Sequence, residues 1–181
     1  PRFSEYIKYS RAVKSIYGRY TDMIEPFGID ECWLDVSGST RLFGSPETIA
    51  DDVREAVKKE LGLTISVGVS FNKVFAKLGS DMKKPDAVTV IRRENFRDMI
   101  WQLPAEDMPW VGRSTSKVLK KYGIITIGDI AKSDPALLKT TYVKNGVVLR
   151  RVANGLENWP RCSMGYRAPV KSIGQCVICA V

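Results

Sequence analysis

The chain has no histidine at all. That removes Ser-His-Asp and Cys-His nucleophiles, an imidazole general base and every His-ligated metal centre. Cysteine is scarce, with four in 181 residues, too few for a disulfide scaffold, so a reducing, cytoplasmic setting is expected. No apolar run approaches the roughly 18 residues that a membrane span needs. Nothing at the N-terminus has the pattern of a signal peptide, and no membrane partner is expected.

What is present is a globular composition, 44% hydrophobic and 27% charged, with 28 Lys plus Arg against 20 Asp plus Glu and a net charge of +8. The charge is uneven. Residues 1–105 hold 16 basic and 15 acidic side chains, whereas residues 106–181 hold 12 basic and 5 acidic. A nearly neutral half followed by a strongly basic half suggests two domains, the second of which meets a polyanion, and nucleic acid is the commonest such partner. Leu103-Pro104-Ala105-Glu106-Asp107-Met108-Pro109 carries two prolines in a polar setting and marks the join.

Local patterns give the order of elements. Phe3 to Tyr20 predicts an amphipathic helix with Phe3, Tyr6, Ile7, Val13, Ile16, Tyr17 and Tyr20 along one side. Strands are expected over Met23–Phe27 and Cys32–Val36. Ser45-Pro46-Glu47 opens a helix with a capping serine, a proline and an acid, and Gly62 stops it after a stripe of Ile49, Val53, Val57 and Leu61. Thr64–Val69 alternates as a strand, and Asn72 caps a helix running to about Asp81. Lys73 and Lys77 lie four apart on that helix and are expected on a solvated face. A strand over Ala87–Ile91 and a helix over Glu94–Trp101 complete the first half. This is the β-α-β-β-α-β order of a ferredoxin-like unit with its opening strand missing, so the chain is expected to be a fragment. The second half predicts short helices over Ser114–Tyr122, Thr126–Lys132, Pro135–Thr140 and Gly146–Asn154.

Asp30 and Glu31 are adjacent carboxylates at a strand edge in an apolar setting. Acids crowded there repel unless a cation neutralises them, and magnesium, which completes its shell with water and phosphate oxygens, suits such a place. A solvated hairpin tip is the alternative. Asp35 lies close by and is left out of the site.

Ile29-Asp30-Glu31-Cys32-Trp33-Leu34-Asp35-Val36 resembles the palm motif of Y-family translesion DNA polymerases, and so does the run from Ser66 to Asp81. The likeness continues through Lys83-Lys84-Pro85-Asp86, Val111-Gly112-Arg113-Ser114-Thr115, Tyr122–Ile130, Lys144-Asn145-Gly146 and Ala153-Asn154-Gly155. It implies an α+β protein: a ferredoxin-like palm lacking its first strand (1–105), an all-helical thumb with a helix-hairpin-helix (106–162), and a linker with the start of a last DNA-binding domain (163–181). The implied activity is error-prone, template-directed DNA synthesis during repair and damage tolerance. A primer 3′ hydroxyl attacks the α-phosphate of a dNTP, with two Mg2+ ions in the intact active site. Asp30 and Glu31 are the implied catalytic metal ligands, and Lys84 contacts the triphosphate. Gly112, Arg113, Ser114, Thr115, Lys117 and Gly146 are the implied contacts to primer-template DNA, with Gly112 allowing a tight turn whose N–H groups face phosphate. A sliding clamp would be recruited through parts absent from this sequence, as would the first metal aspartate and the fingers, so the fragment alone is expected to be inactive.

Gly28 departs from the family, which usually has serine there. Two other readings compete: a non-catalytic DNA-binding module using the basic half, and a nucleotide cyclase, which lacks support because no Gly-Gly-(Asp/Glu)-Glu-Phe run is present. A closed zinc site at Cys176-x-x-Cys179 would need Cys32 and Cys162 to converge on it; in the family register the pair falls at the start of the last domain, and the resemblance implies two strand cysteines.

Overall fold

Helix α1 (Phe3–Tyr17) begins the chain and ends at Gly18. It is three residues shorter than the pattern suggested, and its apolar side is not continuous. Ile16 and Tyr17 are buried, but Phe3 and Tyr6 are 64% and 53% exposed, because among the described residues the core cluster meets the C-terminal half of the helix. The computed structural model describes residues 2–140 and 146–157. The expected linker and last domain at 163–181, Lys144, Asn145, Cys162, Cys176 and Cys179 all lie outside the described residues.

After α1 come strands β1 (Ile24–Phe27) and β2 (Glu31–Leu34), paired antiparallel from Ile24 opposite Leu34 to Phe27 opposite Glu31. The connecting turn is Gly28-Ile29-Asp30, and Gly28 has φ +78, a conformation that favours glycine. A single-turn helix, α2 (Thr40–Phe43), follows; it has no sequence signature of its own.

Helix α3 (Pro46–Leu61) forms as its ends dictate. The Ser45 side chain accepts from the Thr48 N–H, Pro46 occupies the first turn, and Gly62 closes the helix at φ +66. Such a serine cap contributes about 1 kcal/mol. Ile49, Val53 and Val57 face inward and join Ile16, Tyr17 and Ile24 in one buried cluster, with Cys32 and Leu34 of β2 packed against it.

Next, β3 (Val67–Ser70), α4 (Lys73–Met82) and β4 (Val88–Ile91) make a parallel β-α-β unit, Val67 pairing with Val88 and Ser70 with Ile91. Asn72 caps α4 by accepting from the Phe75 N–H at 2.8 Å. Gly68 lets α4 lie directly on β3, since a Cβ there would fall 1.8 Å from the Ala76 carbonyl oxygen. Among the described residues the four strands form two separate two-stranded sheets, β1-β2 and β3-β4.

The remainder is helical: α5 (Phe96–Ile100), a 3-10 turn at Ala105–Asp107, α6 (Arg113–Lys121), α7 (Ile127–Lys132), α8 (Pro135–Thr140) and α9 (Gly146–Ala153). The proline-containing join is not an exposed tether. Ala105, Met108 and Val111 lie in a second buried cluster that runs from Val74 and Phe75 through Ile100 to Leu149 and Ala153. The Ala105 N–H donates to the Ile125 carbonyl at 2.8 Å. No helix among the described residues is long and apolar enough to cross a membrane.

Candidate active site

Side chains alternate along β2, and the alternation sorts them by neighbour. Cys32 and Leu34 turn toward the cluster under α1 and α3, where burial pushes the Cys32 thiol pKa up. Glu31 and Trp33 turn toward α4. The Lys77 ammonium lies 2.5 Å from Glu31 Oε1. The Trp33 indole N–H donates to the Lys73 carbonyl at 3.0 Å, and the Lys73 ammonium stands 5.5 Å from the Trp33 ring centroid. Glu25 on β1, opposite Trp33, binds that same ammonium at 2.6 Å.

Lys73 and Lys77 therefore are not on a solvated face. Lys73 is buried at 8% exposure, and the Lys77 side chain is 20% exposed. Their spacing on one helix face is correct, but the acidic hairpin that covers them is more than forty residues away in sequence.

Asp30 sits at the turn and is exposed. Its carboxylate makes no ion pair among the described residues. Helix α1 ties down the turn, with the Ser10 hydroxyl donating to the Ile29 carbonyl and the Lys14 ammonium donating to Ser10 Oγ at 3.0 Å. Gly28 thus adopts its left-handed conformation without strain, and a side chain holds the turn behind it.

Lys84 projects from the turn after α4, and its ammonium lies 2.7 Å from Asp81 Oδ1. The turn is fastened to α3 through Asp86, whose carboxylate meets Arg54 at 2.7 Å and Lys58 at 2.6 Å. Hydrogen bonds from Lys58 and Arg54 hold the Asp86 carboxyl below its ordinary pKa. Asp30, Glu31 and Lys84 all line one cavity of about 740 Å³ between the two sheets, with β2 on one side and β3 and α4 on the other. The fold thus brings together three residues that are spread over 54 positions of the sequence. Asp35 lines the same cavity, and its carboxylate accepts from the Ser37 N–H at 3.0 Å.

The basic candidates lie apart from this cavity. Gly112, Arg113, Ser114 and Lys117 are exposed at the start of α6, and Thr115 is half-buried. Gly112 is the N-cap with φ −76 and ψ 177, and a Cβ added there would meet nothing within 4 Å. The expected tight turn at Gly112 is therefore corrected: its backbone is ordinary, and the left-handed residue is the exposed Trp110, at φ +69. Gly146 differs again. It is buried at the start of α9, where a Cβ would fall 2.7 Å from the Leu138 carbonyl oxygen, so close packing on α8 accounts for this glycine.

Residues 1–81 match the model of the impB/mucB/samB family. DNA polymerase IV of Acetivibrio thermocellus is 52% identical over 171 residues, which is 94% of this chain and 43% of the relative. DNA polymerase IV of Bacillus velezensis is 41% identical over 156 residues, 86% of this chain and 37% of the relative. Among solved structures, the insertion ternary complex of Dbh DNA polymerase superposes with a TM-score of 0.80 at 26% identity, over 88% of this chain and 47% of that one. DinB from Sulfolobus solfataricus does so with a TM-score of 0.77 at 27% identity, over 88% and 48%. The chain spans less than half the length of the relatives it matches. With a hairpin-borne Asp-Glu pair, a lysine facing it across a cavity and these likenesses along nearly its whole length, the chain is similar to DNA polymerases of the Y family, of the DNA polymerase IV type.

Proposed function

We propose that this chain carries the palm and thumb of a DNA-directed DNA polymerase of the error-prone translesion kind, divided near residue 105. The observation that carries the proposal is the shared cavity: Asp30, Glu31 and Lys84 face one space large enough for a nucleotide. In this reading the β1-β2 hairpin and β3 are parts of a ferredoxin-like palm, and the separation of the two sheets leaves the place of one further strand between them.

The donors fit a divalent ion in kind. Asp30 offers both carboxylate oxygens, and Glu31 keeps one after Lys77 takes the other. Hard carboxylate oxygens suit Mg2+. They fall short in number, since no group of three or more His, Cys, Asp or Glu side chains is brought together among the described residues. When bound, the ions supply charge neutralisation at the primer 3′ oxygen and at the phosphates. Asp30 and Glu31 hold and orient negative charge at the cavity rim. Lys84 supplies a cation to the triphosphate. The primer 3′ oxygen bonds to the α-phosphorus as the bond to the pyrophosphate oxygen breaks. Positioning and charge carry the reaction, which agrees with a chain that has no histidine base.

The start of α6 presents free backbone N–H groups with Arg113 and Lys117 beside them, which suits the phosphates of primer-template DNA of any sequence. Because no third metal-ligating side chain joins Asp30 and Glu31 among the described residues, the chain alone binds DNA and does not turn over.

Primer extension by the natural protein that contains this chain tests the reading. Asp30→Ala is expected to abolish nucleotide incorporation while DNA affinity stays within about twofold. Lys84→Ala is expected to raise the KM for dNTP. Extension at an undiminished rate by Asp30→Ala would overturn the catalytic assignment and leave a non-catalytic DNA-binding module as the better reading.

A further inference from the structure

Glu31 and Lys84 are joined by a continuous chain of charges. The Lys77 ammonium lies 2.5 Å from Glu31 Oε1 and 2.9 Å from Asp81 Oδ2, and the Lys84 ammonium lies 2.7 Å from Asp81 Oδ1. The partners differ in coverage. The Lys77 side chain is 20% exposed, against 44% for Asp81 and 57% for Lys84. A covered ammonium is costly to leave unpaired, and Lys77 has two carboxylates to share. Burial works against its charge, but the hydrogen bonds it donates to Glu31 and Asp81 outweigh burial and raise its pKa. Asp81 is held below its ordinary range in the same manner, its bonds to Lys84 and Lys77 overcoming burial.

We propose that Lys77 is a positioning residue of the site, a shared counter-ion whose hold on Glu31 is governed by Asp81 and Lys84. The proposal rests on the reading of Asp30 and Glu31 as cation ligands. While Lys84 stays on Asp81, the charge of Asp81 is divided, and Lys77 leans on Glu31. It thereby neutralises one of two adjacent carboxylates that would otherwise repel. When Lys84 turns to a triphosphate, Asp81 loses a partner and takes Lys77 more completely. Glu31 is then released toward the divalent cation that accompanies the phosphates. Lys77 gives up Glu31 without becoming an unpaired ammonium, so arrival of the nucleotide and release of a metal ligand are coupled through two side chains of one helix.

Mn2+ titration of this chain, followed by electron paramagnetic resonance without nucleotide or turnover, tests the proposal. Lys77→Met is expected to tighten Mn2+ binding about fivefold, through loss of one screened repulsion. Lys77→Gln is expected to act in the same direction, and Lys77→Arg to stay within about twofold of the wild type. Asp81→Asn is expected to weaken binding about twofold, because Lys77 then rests on Glu31 alone, and to have no effect in the Lys77→Met background. Unchanged or weaker binding in both Lys77→Met and Lys77→Gln, with circular dichroism unchanged, overturns the proposal. So does an Asp81→Asn effect of equal size in both backgrounds, which would be a direct through-space effect. Asp30→Ala separates the two levels. If it abolishes Mn2+ binding while the Lys77 variants change nothing, only the role of Lys77 fails. If it leaves Mn2+ binding intact, the cation lies elsewhere, and the functional reading fails together with the proposal.

Discussion

The backbone N–H of Lys73 donates to the Glu157 carboxylate at 3.0 Å, across 84 positions of sequence. Lys73 opens α4, where the first N–H groups have no partner within the helix and an anion is favoured. Its carbonyl receives the Trp33 indole, and its ammonium receives Glu25. The acidic hairpin, α4 and the segment after α9 therefore meet at one residue.

Glu157→Ala is expected to lower unfolding stability by about 1–2 kcal/mol, from a charge-assisted bond lost at a half-buried helix start. Glu157→Gln should recover part of that loss. Urea midpoints at constant m-value check both.

The two glycines Gly68 and Gly112 make opposite predictions. Gly68→Ala drives a methyl into the Ala76 carbonyl oxygen and within 2.6 Å of the Ser80 nitrogen. Neither is the end of a flexible side chain, so a loss of about 3 kcal/mol or more is expected. Gly112→Ala has open space and an ordinary backbone and should leave stability within about 0.5 kcal/mol. Thermal unfolding of the pair decides. A weakened DNA affinity in stable Gly112→Ala would mean that a ligand, and not the fold, uses the free space.

Much of this was legible in the sequence because short-range chemistry decides it. Ser45, Pro46 and Gly62 bound α3, Asn72 starts α4, and the helix expected over Thr126–Lys132 forms as α7. The Asp30-Glu31 hairpin was legible as well. What could not be read was what lies opposite each face. The apolar side of α1 reads as one stripe, yet Phe3 and Tyr6 stay largely exposed among the described residues. The lysines of α4 look solvated because their carboxylates arrive from a distant hairpin. Four-residue α2 is too short to have a period.

Alkaline pH should unfold the chain through Tyr17. Burial, with a smaller contribution from Cys32, raises its pKa from 10.0 to about 12. The folded state thus holds the phenol proton more tightly than the unfolded state. The stabilisation is complete below pH 10 and is lost as pH rises from 10 toward 12, by about 2–3 kcal/mol. Tyr17→Phe keeps the ring and removes the titration. The loss of unfolding free energy between pH 9 and pH 11.5, read from urea titrations, should be smaller in that variant by about 2 kcal/mol.

Duplex DNA binding by this chain should weaken steeply as salt rises, since phosphate contacts release counter-ions. Lys117→Ala and Arg113→Ala should each reduce the slope of log K against log salt by about one. Fluorescence anisotropy between 50 and 200 mM salt measures it. A slope unchanged in both variants would remove the start of α6 from the interface.

The two buried clusters have a consequence for how the molecule breathes. Asp30 and Glu31 ride on the hairpin that packs under α1 and α3, whereas Lys77 and Lys84 ride on and beside α4, which belongs to the other cluster. Clusters of this kind open as separate cooperative units, each with its own free energy. In native-state hydrogen exchange, the slowest amides around Val57 should therefore reach a different plateau from those around Ile91. A site built on the seam between two such units keeps each wall stiff and leaves the gap between them free to follow whatever enters it.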